Sequence, residues 1–485
     1  MNDAPAPAGM RTFVAVLANT AVANVSTSYL WFALTFWIYA ETRNVLATAV
    51  IGAAYMLFVS LFSMMFGTLV DRFRKKPVMA IATLIAIAVF LADAGLFFAV
   101  GERGVVDLSL PWFWIFAVVM LAGAVVEQLR SIALSTTVTL LVPDEKHANA
   151  NGLVGSVQGV SMLVTSVFSG LSVGFLGMGW TLVIGISAII LSLLHLLTLS
   201  MPEPRVVQAE GASPGWVDIR GGWRAVRAAD GLLFLVVFSA LNNLVGGVYM
   251  ALMDPYGIDL MGVQGWGIGF AVASTGIIVG GLVVARTGLG STPVRTMLLV
   301  AAGISVVGAL FAIRESSWLF LVGVWVYMAL VPAVEAAEQT VIQRVVPYRE
   351  QGRVFGFAMT FEAAAAPVTA LAIGPIAEFL VIPYMRTEQG LAQWEWLLGR
   401  GESRGIALIF VAAGVVCAII AVGAMLMPQY RAIVRQYREA APGPDPAASS
   451  VVPGPAPGLA PQPVAEVPTG EEPVSGPAGE PEPRG

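Results

Sequence analysis

Long apolar runs alternate with short polar connections along most of the chain. A helix needs about 20 residues to cross roughly 30 Å of hydrocarbon. Twelve runs meet this length, and we number them spans 1 to 12: residues 13–40, 46–69, 77–100, 111–140, 152–176, 179–201, 232–253, 266–286, 294–313, 317–343, 354–382 and 405–428. Open sheets cannot span lipid, and the runs are too long for barrel strands. The pattern therefore predicts an all-α membrane protein with twelve transmembrane helices.

The composition agrees with this prediction and excludes several classes of protein. Apolar residues make up 57% of the 485 residues and charged residues 12%, about half the charged share of a soluble protein. This excludes an ordinary soluble enzyme and a nucleic-acid-binding domain, so the expected surroundings are a lipid bilayer and no nucleic acid. Cys417 is the single cysteine, so an intramolecular disulfide is impossible.

Polar segments divide the chain into four parts. Residues 1–201 and 232–440 each hold six spans, residues 202–231 form a linker, and residues 441–485 form a tail. The tail contains 13 prolines in 45 residues and six acidic groups against one Arg. Such a segment cannot bury a core, so we expect a disordered cytoplasmic tail without a transport role.

The linker carries an amphipathic pattern. Apolar residues recur at helical spacing, and arginines occupy the other faces: Trp216, Ile219, Trp223 and Val226 on one side, with Arg220, Arg224 and Arg227 on the others. This pattern is typical of a short helix that lies on a membrane surface. A soluble loop that contains two tryptophans by chance is the alternative.

Basic residues are distributed unevenly between alternate connections. One side receives only six: Arg43, Arg103, Arg314, Arg386, Arg400 and Arg404. The other side, with both termini, receives nineteen, including the clusters at 72–76 and 431–438. Basic loops stay in the cytoplasm. We therefore expect a multi-pass protein of the plasma (inner) membrane with both termini in the cytoplasm.

The two halves of the chain resemble each other. The string that begins at Gly67 between spans 2 and 3 has a counterpart that begins at Gly281 between spans 8 and 9, and spans 4 and 10 each end before a proline, Pro143 or Pro347. Paired halves indicate a transporter whose substrate site lies between them.

A dense polar motif separates spans 2 and 3. It reads Gly67-Thr68-Leu69-Val70-Asp71-Arg72-Phe73-Arg74-Lys75-Lys76. The motif resembles the loop 2–3 motif of the major facilitator superfamily, Gly-x-x-x-Asp-Arg-x-Gly-Arg-(Arg/Lys), except that Arg74 replaces the second glycine. The family resemblance covers residues 10–440 and implies two pseudo-symmetric six-helix bundles.

In that family the motif latches the two halves in the outward-facing state. The resemblance therefore implies a conformational latch formed by Gly67, Asp71, Arg72, Arg74, Lys75 and Lys76. Physically, Gly67 permits close approach of spans 2 and 11, and Asp71 is suited to cap a helix start or to pair with an arginine. The second copy has Ala285 in place of the aspartate, so the first half is expected to carry the latch charge. A simple cluster of cytoplasmic positive charge is the alternative.

Two further strings narrow the resemblance. Leu140-Leu-Val-Pro143-Asp-Glu-x-x-x-Asn149-Ala-Asn151-Gly152 and Gln343-Arg344-Val-Val-Pro347-x-x-x-Gln-Gly352-Arg353-Val354-Phe355 are similar to junctions of macrolide-efflux-type exporters. Similar strings also occur in siderophore exporters. The resemblance implies proton-coupled export of a small organic molecule, and no phosphate-binding Gly-x-x-x-x-Gly-Lys-Ser/Thr string is present.

Ionisable residues inside spans are candidates for proton coupling. A charge at the membrane centre costs about 2.5–3.5 kcal/mol on insertion scales, so it usually faces a cavity or a partner. Glu335 and Glu338 lie one turn apart in span 10 and repel when both are ionised, which favours protonation of one of them. Glu362 in span 11 and Asp93 in span 3 complete the set. Snorkelling to the interface, or a structural helix contact for Asp93, is the alternative.

The resemblance also implies that spans 1, 4, 7 and 10 line a central cavity. Candidates for substrate contact are therefore the polar residues of these spans: Asn19, Asn24, Tyr29, Glu127, Arg130, Asn242, Asn243 and Gln339. Hydrogen bonds between helices, or a static Glu127–Arg130 pair, are the alternatives. His147 and His195 show no metal-ligand spacing, so we expect no metal and no cofactor.

The leading interpretation is a monomeric secondary transporter that exports hydrophobic or amphipathic, antibiotic-like compounds in exchange for protons. Export of a metabolite or siderophore made by the cell, or proton-coupled uptake, is the main alternative. A membrane enzyme would need a polar loop with a nucleophile, a metal set or a phosphate cradle. The largest loops, 202–230 and 383–404, contain none of these. A degenerate transporter that acts as a receptor is a further alternative.

Overall fold

The computed structural model describes residues 8–42, 45–201, 203, 218–401 and 403–440. Every regular element within these residues is helical. Trp216 of the amphipathic pattern and the whole tail lie outside the described residues.

Eleven helices of the described chain are long and apolar enough to cross a membrane. One of them, His147–Thr198, changes direction at Gly177, where φ is 76°. Glycine adopts such a φ without steric cost, and this helix therefore contains both span 5 and span 6. The prediction of twelve transmembrane helices is confirmed for the described part of the chain.

The other spans follow the sequence pattern closely. Spans 7 and 8 form one helical element, Leu232–Thr287, which bends at Gly262 with φ 72°. The remaining spans are Ala8–Thr42 (span 1), Val45–Arg72 (span 2), Lys75–Val100 (span 3), Pro111–Leu141 (span 4), Pro293–Leu310 (span 9), Ser317–Val345 (span 10), Gln351–Ile376 (span 11) and Arg404–Leu426 (span 12).

Smaller helices occupy the connections. A π-helical turn, Ala377–Val381, extends span 11 into Ile382–Met385. The other short α-helices are Glu102–Val106, Ile219–Ala228, Glu388–Leu398 and Pro428–Glu439, and two 3-10 turns lie at Asp144–Lys146 and Tyr348–Glu350. Helix Glu388–Leu398 lies where the sequence pattern predicted only a loop.

The two halves meet along two seams built from small residues. At the 2–11 seam, a Cβ added to Gly67 would lie 2.2 Å from the Gly352 carbonyl oxygen. At the 5–8 seam, a Cβ added to Gly152 would lie 2.5 Å from the Ala285 nitrogen. Helix association in lipid depends on such close backbone packing, because lipid tails are as apolar as the side chains. Close backbone packing at glycine therefore joins the halves at two related places.

Arg404 is one of the six arginines of the sparsely charged connections, and its side chain is buried, with 1% exposure. The guanidinium donates to the carbonyls of Ala312 and Leu398 at 3.1 and 3.0 Å and to the Tyr256 hydroxyl at 2.7 Å. Helix Glu388–Leu398 thus supplies one of the acceptors that make burial of this charge possible.

Candidate functional site

A cavity of about 360 Å³ lies between the two halves. Ligand pockets typically measure about 300–1,000 Å³. The polar side chains that line it are Thr20, Asn24, Ser131, Ser135, Gln158, Ser239, Asn242, Asn243, Tyr327, Glu335, Glu338, Gln339 and Glu362. Among the described residues, its lining contains three carboxylates and no lysine, arginine or histidine. The cavity is therefore acidic.

The three carboxylates come from adjacent spans 10 and 11. Glu338 accepts a hydrogen bond from the Ser239 hydroxyl of span 7 at 2.6 Å. The carboxyl groups of Glu338 and Glu362 lie close enough to interact electrostatically, and one oxygen of each is buried without a hydrogen-bond partner. Two carboxylates held this close repel each other when both are ionised, so the pair favours binding of a proton or another cation. Glu335 lies one turn away from Glu338.

Four of the eight residues predicted to contact substrate line this cavity: Asn24, Asn242, Asn243 and Gln339. Asn243 donates to the carbonyl of Ser239 at 3.0 Å, and Asn242 accepts from the Cys417 thiol at 3.6 Å. Ser239 and Gln158 also line the cavity, although the sequence did not single them out. Ser239 lies one turn before Asn242 and Asn243, so a search for polar residues at helical spacing would have found it.

Glu127 and Arg130 do not line this cavity, so their contact with a substrate stays a prediction. Both are buried inside the first half, with 3% and 0% exposure. The Arg130 guanidinium donates to the Thr83 hydroxyl at 2.8 Å and to the Asn19 side-chain oxygen, and it lies 3.6 Å from Glu127. These contacts tie spans 1, 3 and 4 together. The static pair, which was the alternative interpretation, describes this geometry.

Asn19, Tyr29 and Asp93 also lie outside the cavity lining. Asn19 donates to the Ser192 carbonyl at 2.8 Å and so joins span 1 to span 6. The Tyr29 hydroxyl donates to the Ser172 hydroxyl at 2.5 Å, which uses this polar group inside the first bundle. Asp93 is fully buried in span 3. Hence Asn19, Tyr29 and Asp93 do not line this cavity, and substrate contact by Asn19 and Tyr29 and proton coupling by Asp93 stay predictions.

Amide side chains close the cavity on the side that carries the basic clusters. We call Asn151, Gln343 and Gln351 the amide gate. Asn151 donates to Gln343 Oε1 at 2.8 Å, and Gln343 donates to the Ser135 carbonyl at 2.9 Å. Gln351 donates to the Gln343 carbonyl and accepts from the Thr139 hydroxyl, both at 2.8 Å. The gate therefore joins spans 4 and 5 to spans 10 and 11.

The amide gate lies between the cavity and the basic side of the protein. Gln339 lines the cavity, and Gln343 lies one turn nearer the basic side. Since all three gate residues are buried, with at most 3% exposure, breaking the gate would require the halves to separate. Asn151 and Gln343 belong to the family-like strings at residues 140–152 and 343–355, but the sequence alone did not indicate that they contact each other.

Asp71 crosses the 2–11 seam on the same side. Its carboxylate accepts from the backbone nitrogens of Gly352 and Arg353 at 2.6 and 2.9 Å. It also pairs with the Arg353 guanidinium at 3.1 Å. Asp71 thus both caps the start of span 11 and forms an ion pair, which are the two roles that suit an aspartate at a helix N-terminus.

The other latch candidates organise the loop around the seam. Lys75 donates to the Val70 carbonyl at 2.6 Å, and Lys76 donates to the Leu199 carbonyl at 2.6 Å. Arg72 ends span 2, and Arg74 precedes span 3 with its side chain exposed. At the 5–8 seam, the carbonyl of Ala285 accepts from the Asn149 amide at 2.9 Å. An amide contact therefore occupies the place where the 2–11 seam has an ion pair.

Comparison with known proteins identifies the family. A model of the Major Facilitator Superfamily matches residues 16–370. The chain belongs to the major facilitator superfamily. It is therefore a multi-pass transporter of small molecules and not an enzyme, and the family resemblance inferred from the sequence is confirmed.

Named relatives of this transporter include an efflux protein. The chain is 22% identical over 366 residues to macrolide efflux protein A of Streptococcus pyogenes, covering 73% of this chain and 87% of the relative. It is 20% identical over 303 residues to an uncharacterised MFS-type transporter of Bacillus subtilis, covering 61% of this chain and 68% of the relative.

Solved structures show the same fold. A bacterial homologue of the iron transporter ferroportin in an outward-facing state superimposes with a TM-score of 0.61 at 16% identity, covering 86% of this chain and all of that one. The Escherichia coli fucose:proton symporter gives a TM-score of 0.60 at 11% identity, covering 85% of this chain and 99% of that one. Within the described residues, no group of three or more His, Cys, Asp or Glu side chains is placed to hold a metal ion.

Proposed function

We propose that this transporter exports small hydrophobic or amphipathic, antibiotic-like compounds from the cytoplasm in exchange for protons. The observation that carries the proposal is the acidic cavity between the halves, which is lined by the carboxylates of Glu335, Glu338 and Glu362. Similarity to a protein named macrolide efflux protein A supports export as the direction.

The transport cycle is alternating access by rocking of residues 1–201 against residues 232–440. The distribution of basic residues supports an orientation with both termini in the cytoplasm, and we propose the plasma membrane as the location. The amide gate and the Asp71 latch then form the cytoplasmic closure. Substrate enters when both have opened.

Exchange of substrate for protons follows because both compete for the carboxylates of Glu338 and Glu362. Leu17, Ile304, Phe355 and Met359 give the cavity an apolar wall, which suits the apolar part of an amphipathic compound. A positively charged group of that compound takes the place of a proton bound by Glu338 or Glu362, so that the charge of the pair stays balanced. The proton returns when the cavity faces the outer side and the substrate leaves. Glu335 adds a third negative charge that favours either cation.

Substrate-induced proton release from purified protein tests this proposal. A panel of macrolide-like and other amphipathic compounds is added to the protein in weakly buffered detergent solution, and proton release and binding are measured together. We expect the double variant Glu338→Gln/Glu362→Gln to lose proton release while substrate binding remains measurable. Glu127→Gln is the matched control, because this carboxylate is buried outside the cavity, and it should release protons as the unmodified protein does. Unchanged release from the double variant would exclude the pair as the coupling site.

A further inference from the structure

The linker helix Ile219–Ala228 lies against the latch. Asp218 is the N-cap of this helix, and its Oδ1 accepts from the Gly221 nitrogen at 2.8 Å. The other carboxylate oxygen, Oδ2, accepts from Arg353 Nη1 at 2.9 Å. Asp218 is 2% exposed. A residue of the linker therefore contacts the same guanidinium that pairs with Asp71.

Arg353 is thus held by two carboxylates that belong to different parts of the chain. Its Nε lies 3.1 Å from Asp71 of span 2, and its Nη1 lies 2.9 Å from Asp218. Glu350 is a more distant third acid, at 3.9 Å. The Arg353 side chain is 7% exposed. Separating a buried charge from its partner is strongly destabilising unless another partner remains.

Packing attaches the linker helix to the second half. Only residues 229–231 separate it from span 7. Val226 is fully buried and Ala229 is 6% exposed, and the Trp223 ring lies 6.1 Å from that of Phe357 in span 11. Contact with the first half is slighter, and includes the Asp218 nitrogen at 3.3 Å from the Thr68 hydroxyl. The helix should therefore move with span 11 when the halves rock.

We propose that Asp218 is a positioning residue that makes the latch reversible. When the 2–11 seam opens, span 2 carries Asp71 away from Arg353, whereas Asp218 stays with span 11 and keeps the guanidinium paired. In the closed seam, the negative charge of Asp218 also repels Asp71. Both effects favour opening, so Asp218 opposes the closure that Asp71 promotes.

This arrangement predicts opposite effects for two chemically identical substitutions. Asp71→Asn removes the charge that closes the seam, so it should favour the state open on the basic side. Asp218→Asn removes the closer of the two carboxylates that stay with Arg353 in the open state, Asp218 at 2.9 Å and Glu350 at 3.9 Å, so it should favour the closed state. Asparagine is as good an N-cap as aspartate, so the linker helix should keep its start in the second variant.

Distance measurements between spin labels test the proposal without any substrate. Labels at Lys146→Cys and Ser291→Cys, in a Cys417→Ala background, flank the 5–8 seam on the basic side, and both positions are exposed and remote from Arg353. An Asn151→Ala substitution removes part of the amide gate, so that both states should be populated. Asp218→Asn should raise the closed-to-open ratio at least tenfold, and Asp71→Asn should lower it by a similar factor.

Two further variants complete the design. Asp230→Asn is the matched control, because this linker carboxylate is exposed and pairs with Arg435 at 3.7 Å, away from the seam. It should leave the ratio within twofold. In Asp71→Asn/Asp218→Asn, Arg353 lacks both partners in either state, so the ratio should match Asp71→Asn alone within threefold. A shift of Asp218→Asn towards the open state, or no shift, would overturn the proposal, whatever the transported substrate is.

Discussion

Replacing Gly67 by alanine should hold the 2–11 seam open on the basic side. The added Cβ would lie 2.2 Å from the carbonyl oxygen of Gly352, 2.9 Å from its carbonyl carbon and 3.1 Å from the Cα of Gly356. All three atoms belong to the backbone of span 11. No side-chain rotation can relieve the overlap, so the two helices must move apart.

The size of the effect follows from the distances. Ordinary Cβ contacts begin near 3.4 Å, so spans 2 and 11 must separate by about 1.2 Å, the difference between 3.4 and 2.2 Å. The hydrogen bond from the Gly352 nitrogen to Asp71, now 2.6 Å, would then stretch beyond bonding distance. A hydrogen bond to a charged group contributes about 1.5–3 kcal/mol. We therefore expect the closed-to-open ratio to fall roughly 10- to 150-fold.

Gly95→Ala in span 3 is the matched control, because a Cβ at Gly95 meets no atom within 4 Å. Both substitutions replace glycine by alanine within a helix and raise helix propensity equally. The assay is the distance between labels on the two halves, with thermal unfolding measured in parallel. If Gly67→Ala and Gly95→Ala show the same state distribution, closure does not depend on backbone approach at this glycine, and the steric argument fails.

Two other outcomes are expected. Arg404→Met should lower the free energy of unfolding by about 2–4 kcal/mol in a detergent melt, because it leaves buried acceptors without a donor. Arg400→Met should change it by less than about 1 kcal/mol, because Arg400 forms an exposed pair with Glu395 at 2.8 Å. Equal losses would show that burial of Arg404 contributes nothing. An impermeant thiol reagent should label a cysteine at Gln389 in intact cells but one at Ala448 only after permeabilisation, and labelling of Ala448 in intact cells would reverse the proposed orientation.

Span number and the cavity face of span 10 could be predicted because each depends on local information. Length and apolarity alone specify a helix that crosses lipid. Glu335, Glu338, Gln339 and Ile342 recur at helical spacing, and all four line the cavity. A polar stripe on an otherwise apolar helix indicates the face that avoids lipid, so the sequence was sufficient there.

Span 4 shows why the same reasoning failed elsewhere. Successive residues of a helix point about 100° apart. Arg130 therefore faces Asn19 and Thr83 inside the first half, while Ser131 faces the cavity. Both directions avoid lipid, so a polar residue is compatible with either. The sequence could identify Glu127 and Arg130 as buried, but it could not distinguish a bundle interior from a cavity.

The sequence also did not predict contacts between residues that lie far apart along the chain. Arg353 and Asp218 are separated by 135 residues, and Arg404 lies 92 residues from the Ala312 carbonyl that it binds. The charge of Arg353 gave no signal beyond topology, because a cation on the basic side fits the positive-inside pattern. Arg404 lies on the sparsely charged side, where nothing local in the sequence identified its acceptors. The partner becomes evident only once the spans are packed.

The 2–11 and 5–8 seams are alike in their close backbone packing but differ in the side-chain contacts that cross them. Small residues bring the backbones together at both places, with Gly67 against Gly352 and Gly152 against Ala285, so the halves can rock about equivalent contacts. Among the described residues, the 2–11 seam adds a buried ion pair, Asp71 with Arg353, whereas Asn149 and the Ala285 carbonyl provide an uncharged bond at the 5–8 seam. A buried pair is costly to break unless another partner takes over. The seam that carries the charge is therefore the one that needs Asp218. Close backbone packing occurs at both seams, but it does not require an ion pair at both.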